Sequence, residues 1–324
     1  MTKRSIFAVL LLLFFQLLPA GAAGAGDQNA ASAAAPTNEE NPAAKVEKAP
    51  PLPLHSIEGN SGVFLTSTAY LANPPEAGKV MGLPSVSASG AFIGEKDVQS
   101  YAVTENLVGR FEVGYAVERL GLGDWPDDVF KATGAQVEDS VQLHNLNLRA
   151  MAIREGDFDC PWMPAVTVGG HFKWNEGIAS IDRSLNGLCD TLGSDHDFGT
   201  ELTAVASKTI TLLPRPVILS AGLRNGDAIH TGLLGFAGER ATTFEGSAIV
   251  LLTDHLAFAT EYRQKSDLID QCGDLVRAEN DWWDLALAYI VNDHITISGG
   301  YANFGNILNH REDNVWAFQL KYEF

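Results

Sequence analysis

The segment Trp316-Ala317-Phe318-Gln319-Leu320-Lys321-Tyr322-Glu323-Phe324 decides how the rest of the chain reads. Trp316, Phe318, Leu320, Tyr322 and Phe324 share one face of an extended strand, and Ala317, Gln319, Lys321 and Glu323 share the other. Strand side chains alternate with a period of two, so this is a β-strand with one apolar and one polar face. The same alternation recurs upstream. Phe111, Val113, Tyr115 and Val117 oppose Arg110, Glu112, Gly114 and Glu118, and Val166, Val168, Phe172 and Trp174 oppose Thr167, His171, Lys173 and Asn175. Phe244, Ala248 and Val250 oppose Thr243, Glu245 and Ser247, and Trp283, Leu285, Leu287 and Tyr289 oppose Asp284, Ala286 and Ala288. Each stretch has about 10 residues, the length a tilted strand needs to cross a bilayer.

Composition narrows the classes. The 324 residues are 46% hydrophobic and 19% charged, which excludes a wholly disordered chain. A formal charge of -18 argues against a nucleic-acid partner, because phosphate binding needs a basic surface. No run of about 20 apolar residues follows the N-terminus, so a helical membrane protein is excluded.

The N-terminus reads as a secretory signal over residues 1–25. Lys3 and Arg4 precede an apolar core at 6–18, and small residues follow from Pro19 to Ala25. Residues 26–55 are rich in Ala and Pro and read as a disordered tether, with folded material over 56–324.

Short polar turns at Thr253-Asp254-His255 and Asn292-Asp293-His294 each lead into a strand with aromatics on its apolar face. Long connections lie between them at 120–139, 176–197, 226–241, 266–280 and 305–312. Strands are therefore expected at 84–93, 97–103, 107–119, 140–153, 163–175, 198–212, 216–225, 242–252, 256–265, 281–291, 295–304 and 313–324. These define an all-β fold: a closed antiparallel transmembrane barrel of 12 strands, with both termini on the short-turn, periplasmic side. Segment 56–82 is left to add a strand or to enter the lumen as a plug. A soluble β-sandwich is the alternative. The aromatics Trp174, Tyr262, Trp283, Tyr301, Trp316 and Tyr322 near the ends of apolar faces instead fit interfacial girdles.

The terminal strand resembles the C-terminal strand of outer-membrane barrels, whose last Phe serves assembly. Six stretches carry a wider resemblance: Gly82-Leu-Pro-Ser-Val-Ser-Ala88, Ser100-Tyr-Ala-Val-Thr-Glu105, Arg119-Leu-Gly-Leu-Gly123, Leu233-Leu-Gly-Phe236, Glu261-Tyr-Arg-Gln-Lys265 and Gln319-Leu-Lys-Tyr-Glu-Phe324. Together they resemble the bacterial envelope family called domain of unknown function 3034, over roughly residues 57–324. The resemblance implies an outer-membrane barrel and supplies no catalytic residues.

Charged residues on the polar faces should point into the lumen, because lipid-facing charge is costly at mid-membrane. Arg110, Glu112, Arg149, His171, Lys173, Arg224, Glu245, Glu261, Arg263 and Lys265 are the expected lining. They form either a charge ladder along a pore or a paired network filling a small bore. Leu233, Leu234 and Phe236 in Gly232-Leu-Leu-Gly-Phe-Ala-Gly238 are too apolar for a water-exposed loop. They should form a constriction or pack on the rim. The acidic long loops could hold divalent cations, but they lack the ligand order of an EF-hand and read as solvated. No cofactor or metal site is read from spacing, and His255 and His294 read as turn residues.

Cys160 falls in a short-turn connection, with Cys189 and Cys272 in outer loops. That topology forbids Cys160–Cys189 and leaves a Cys189–Cys272 disulfide open. The expected function is a passive pore for a small solute. A structural or ligand-binding barrel with a filled lumen is the alternative, and an envelope hydrolase is third. Expected partners are outer-membrane lipid, lipopolysaccharide and the barrel-assembly machinery.

Overall fold

The computed structural model describes residues 54–76 and 78–324, so the expected signal (1–25) and the tether up to Pro53 lie outside the described residues. Twelve strands form one closed antiparallel barrel. They are β1 (Ser85–Ile93), β2 (Lys96–Leu107), β3 (Phe111–Gly121), β4 (Ser140–Ile153), β5 (Ala165–Glu176), β6 (Phe198–Ile210), β7 (Val217–Ala228), β8 (Phe236–Leu251), β9 (Leu256–Arg263), β10 (Trp282–Ile290), β11 (Ile295–Asn303) and β14 (Val315–Glu323). A hairpin of β12 (Gly305–Ile307) and β13 (His310–Glu312) stands in the last long loop. Helices α1 (Trp125–Thr133), α2 (Ile178–Ser184) and α3 (Leu188–Thr191) occupy two others.

Each wall strand pairs with its neighbour, and β1 pairs with β14 from Ser85↔Glu323 to Ile93↔Val315 without a break. Closure leaves no open sheet edge, which is the condition for a sheet to sit in hydrocarbon. The period-two pattern sets the two faces. Trp316 and Phe318 are 57% and 55% exposed outside, whereas Gln319 and Lys321 are buried inside. Around the barrel Tyr101, Leu202, Leu223, Leu287 and Ile297 continue the exposed apolar surface. Such a surface is stable in lipid rather than in water, so the sandwich alternative fails. Aromatics gather at both rims: Trp283, Tyr301 and Trp316 at the long-loop end, and Tyr322 with Phe324 at the other.

Residues 54–72 enter the bore as a plug rather than adding a strand. All of them except Ile57 and Tyr70 are fully buried. A Gly62↔Ser67 bridge and the Val63 N–H to Thr66 O bond (3.0 Å) fold the tip back on itself. Gly59 adopts φ +82° and presses on the wall, where a Cβ at Gly114 would fall 1.8 Å from the Gly59 oxygen. Only glycine serves at that contact.

Several boundaries differ from expectation. β2 runs to Leu107, so the β2–β3 turn is 108–110. β8 begins at Phe236 rather than near 242, and the connection before it shrinks to 229–235. At the long-loop end β1 and β2 are joined by Gly94-Glu95 alone, while 154–164 is a longer connection at the other end.

Candidate functional site

The bore is organised around Glu58 of the plug. Its carboxylate accepts from Arg263 Nη1 on β9 (2.8 Å), Arg224 Nη1 on β7 (3.1 Å) and Lys173 Nζ on β5 (3.2 Å). Glu201 on β6 bridges Lys173 (2.6 Å) and Arg224 (2.7 Å), and Glu245 on β8 accepts from Arg224 Nε (3.0 Å). Three carboxylates thus face three cations, all of them buried. Buried charges persist only when paired and hydrogen-bonded, and here five wall strands share the pairing with one plug residue.

Other wall side chains grip the plug backbone. Glu261 accepts from the amides of Phe64 (2.7 Å), Leu65 (3.0 Å) and Thr66 (2.6 Å), successive N–H groups that form a nest for an anion. Arg149 pairs with Glu112 (2.7 Å) and donates to the carbonyls of Ser61 and Thr68. Glu112 in turn accepts from the amides of Ser61 (3.1 Å) and Ala72 (2.8 Å). The Gln319 amide bonds both backbone groups of His55, whose ring meets Ser87 and Thr104. His171 is held between Asn147 (2.6 Å) and Thr203 (2.9 Å).

Above the plug the connection 229–235 folds inward as a lid. Leu233, Leu234 and Phe236 are buried, and Phe236 is the first residue of β8 rather than part of the loop. The lid is strained: His230 and Thr231 have φ of +44° and +66°. Lys173 and Asn175 on β5 secure it by donating to the carbonyls of Thr231, Gly232 and Leu233 (all 2.9 Å). Glu279 accepts from the His230 amide (3.1 Å) and pairs with Lys265 (3.0 Å), whose ammonium lies 4.4 Å from the Trp282 ring centroid.

Burial lowers the pKa of His230 to about 4 against the opposing pull of Glu279. Burial would raise that of Glu279, but His230 and Lys265 hold it below the usual carboxylate range. Two apolar cavities of about 50 Å³ flank the lid. The inner one lies between Phe64 and Leu65 of the plug and Leu233 of the lid, and the outer one lies under the loops between Leu234, Trp125 and Ile181. Each exceeds the roughly 10–15 Å³ that one water needs.

Eight of the ten expected lining residues stand on wall strands and face the bore: Glu112, Arg149, His171, Lys173, Arg224, Glu245, Glu261 and Arg263. Two do not. Arg110 sits in the β2–β3 turn and donates to the Met151 carbonyl (3.2 Å), because β2 runs four residues further than the expected 97–103 and β3 starts only at Phe111. Lys265 lies beyond the end of β9 and belongs to the lid.

His144 faces outward against Trp174, with ring centroids 4.9 Å apart, while His171 faces the bore, so they form no common site. The cysteines are free thiols, and Cys189 and Cys272 both border the outer cavity. Burial pushes the Cys189 thiol up to about 12. Sequence reasoning missed Glu58, Glu201 and Lys96, and it put Asp284 and Lys321 on inward polar faces without naming them as lining; all five are buried. It also missed a meeting of Asp124, Asp128 and His310 at the outer surface, where one potential ligand atom from each lies within 4.8 Å of the others.

A closed sheet with an apolar exterior, an ion-paired bore and its own N-terminal segment inside defines a plugged transmembrane β-barrel. The chain belongs to the family described as Protein of unknown function (DUF3034), matched over residues 53–321. Solved structures of similar shape include the NanC porin, at 8% identity over 74% of this chain and 98% of that one, with a TM-score of 0.46. The KdgM porin, in complex with disordered oligogalacturonate, is 6% identical over 74% and 99%, with a TM-score of 0.43. The outer membrane phospholipase dimer of Salmonella typhi, with bound calcium, is 8% identical over 77% and 94%, with a TM-score of 0.35. No curated relative matches the sequence.

Proposed function

We propose that the protein is an exported outer-membrane barrel that passes a small solute through a gated bore, with residues 54–72 as the gate. One observation carries this reading. Among the described residues no backbone–backbone hydrogen bond joins 54–72 to a wall strand, and the plug is held by side chains alone. It can therefore leave the bore without breaking a strand pair, and the barrel stays closed around the space it vacates. Removing Glu58 from its cations leaves buried charge unpaired, at about 3–5 kcal/mol, so the gate is shut nearly all the time. Lipid and lipopolysaccharide surround the barrel in this reading, and the assembly machinery takes the strand ending in Phe324.

A second reading is a sealed scaffold or binding barrel. The balance of Glu58, Glu201 and Glu245 against Lys173, Arg224 and Arg263 favours it, because such a network also serves as a permanent core. Planar-bilayer conductance separates the two. The full chain should be silent apart from rare openings, and a variant lacking 54–72 should conduct steadily. Silence of that variant, with its barrel verified by heat-modifiable mobility, would establish the sealed barrel. Steady conductance by the full chain would remove the plug from its role.

A further inference from the structure

Asp124, Asp128, Asn309 and His310 come together outside the bore, where α1 packs against the β12–β13 hairpin. His310 Nε2 lies 2.9 Å from Asp124 Oδ2. Asn309 Nδ2 lies 3.2 Å from Asp124 Oδ1 and 3.0 Å from Asp128 Oδ2. Ligand atoms held about 2.0–2.2 Å from one ion are at most about 4.4 Å apart, so the spacing within 4.8 Å needs little contraction.

Asn309 separates this group from an ordinary acidic surface. It is only 3% exposed, and its Oδ1 is buried without a hydrogen-bond partner. Its two amide ends differ only in which atom is the donor. A half-turn of the amide gives up its two Nδ2 bonds to Asp124 and Asp128, which a cation on those carboxylates would replace, and brings Oδ1 to the position between them. Three oxygens facing one another repel when bare and attract when a cation sits among them.

We propose that Asp124, Asp128, His310 and Asn309 Oδ1 form a binding site for a divalent transition-metal ion of the Zn²⁺ class. One imidazole nitrogen with three oxygens suits a borderline ion, whereas Ca²⁺ takes six to eight oxygens. Lys131 Nζ occupies the other oxygen of Asp128 (2.9 Å to Oδ1) and competes with the ion for that carboxylate. The ion would tie the β3–β4 loop to the β11–β14 loop across the outer cavity, whose lining includes Trp125, Val129 and Leu308.

The test is calorimetric titration of ZnCl₂ into the full chain in detergent after EDTA treatment. One saturable site is expected. His310→Ala and Asp128→Asn should each weaken it about tenfold or more. Lys131→Ala should tighten it, a change that a merely structural role for these loops would not produce. Unchanged affinity in His310→Ala would overturn the site and point to the turn histidines, as would displacement of Zn²⁺ by equimolar Ca²⁺. Lack of saturable binding by the full chain would also overturn it. All three substituted side chains are partly exposed, and heat-modifiable mobility verifies each variant's fold.

Discussion

The two halves of the barrel wall treat the plug differently. Along β3 to β9 the inward positions carry Glu112, Arg149, Lys173, Glu201, Arg224, Glu245, Glu261 and Arg263, and each is engaged in ion pairs or hydrogen bonds inside the bore. Across β10, β11, β14 and β1 the mid-height positions are Ala286, Gly300, Ala317 and Ala91. There the plug presents Phe64, and the inner cavity opens beside it. One half holds by charge and the other leaves room by omission of side chains. At mid-height the plug is gripped on one side and loosely packed on the other, while Gln319 on β14 and Ser87 on β1 hold its start at His55, so in the gating proposed above its tip would move towards the small-residue wall.

The largest effect should come from the gripping side. Glu58→Gln keeps the shape and removes the charge that three cations share, so the barrel should lose about 3–5 kcal/mol in urea unfolding. A loss below about 1 kcal/mol would mean the charged wall does not need its plug.

The lid, which rests on both halves, comes next. His230 has a folded pKa of about 4 against an ordinary 6.5, so the unfolded lid takes up a proton first as the pH falls. The stability that His230 lends is complete above pH 6.5 and is lost progressively down to about pH 4, at most about 3 kcal/mol. The depressed pKa of Glu279 acts in the same direction. Unfolding midpoints measured at pH 7 and pH 4.5 should converge in His230→Asn relative to the wild type. An unchanged gap would assign the acid sensitivity elsewhere.

The smallest effect belongs to the roomy side. A Cβ at Gly300 would lie 3.4 Å from the Phe64 ring, so Gly300→Leu should displace Phe64 and cost about 1–3 kcal/mol. The same variant should reduce conductance once 54–72 is free to move. If it costs nothing, the small-residue wall has more space than the cavity implies.

The wall was legible because lipid outside and a polar bore inside force opposite chemistry onto alternate residues. Where that contrast fades, so does the reading. Glu201 was missed because its inward neighbours Thr203, Val205 and Ser207 differ little from the outward Ala204 and Ala206. Arg110 was misplaced because parity continues through a turn on paper but not in space. β8 was read six residues short because Gly238, Glu239 and Arg240 are all exposed, so no apolar face marks its outer end. Glu58 carries no local signal at all, since its partners lie on strands more than 100 residues away. The pair of Asp124 and His310 is likewise 186 residues apart and is created by two loops meeting above the barrel.

The want of backbone pairing between plug and wall gives the two parts separate clocks. Amides of the wall strands exchange with solvent deuterium only when the sheet itself opens. Those of Phe64, Leu65 and Thr66 are shielded by one carboxylate, Glu261, and exchange whenever the plug lets go. The slowing of these three amides relative to a free amide gives the free energy of plug release, read while the wall strands stay paired.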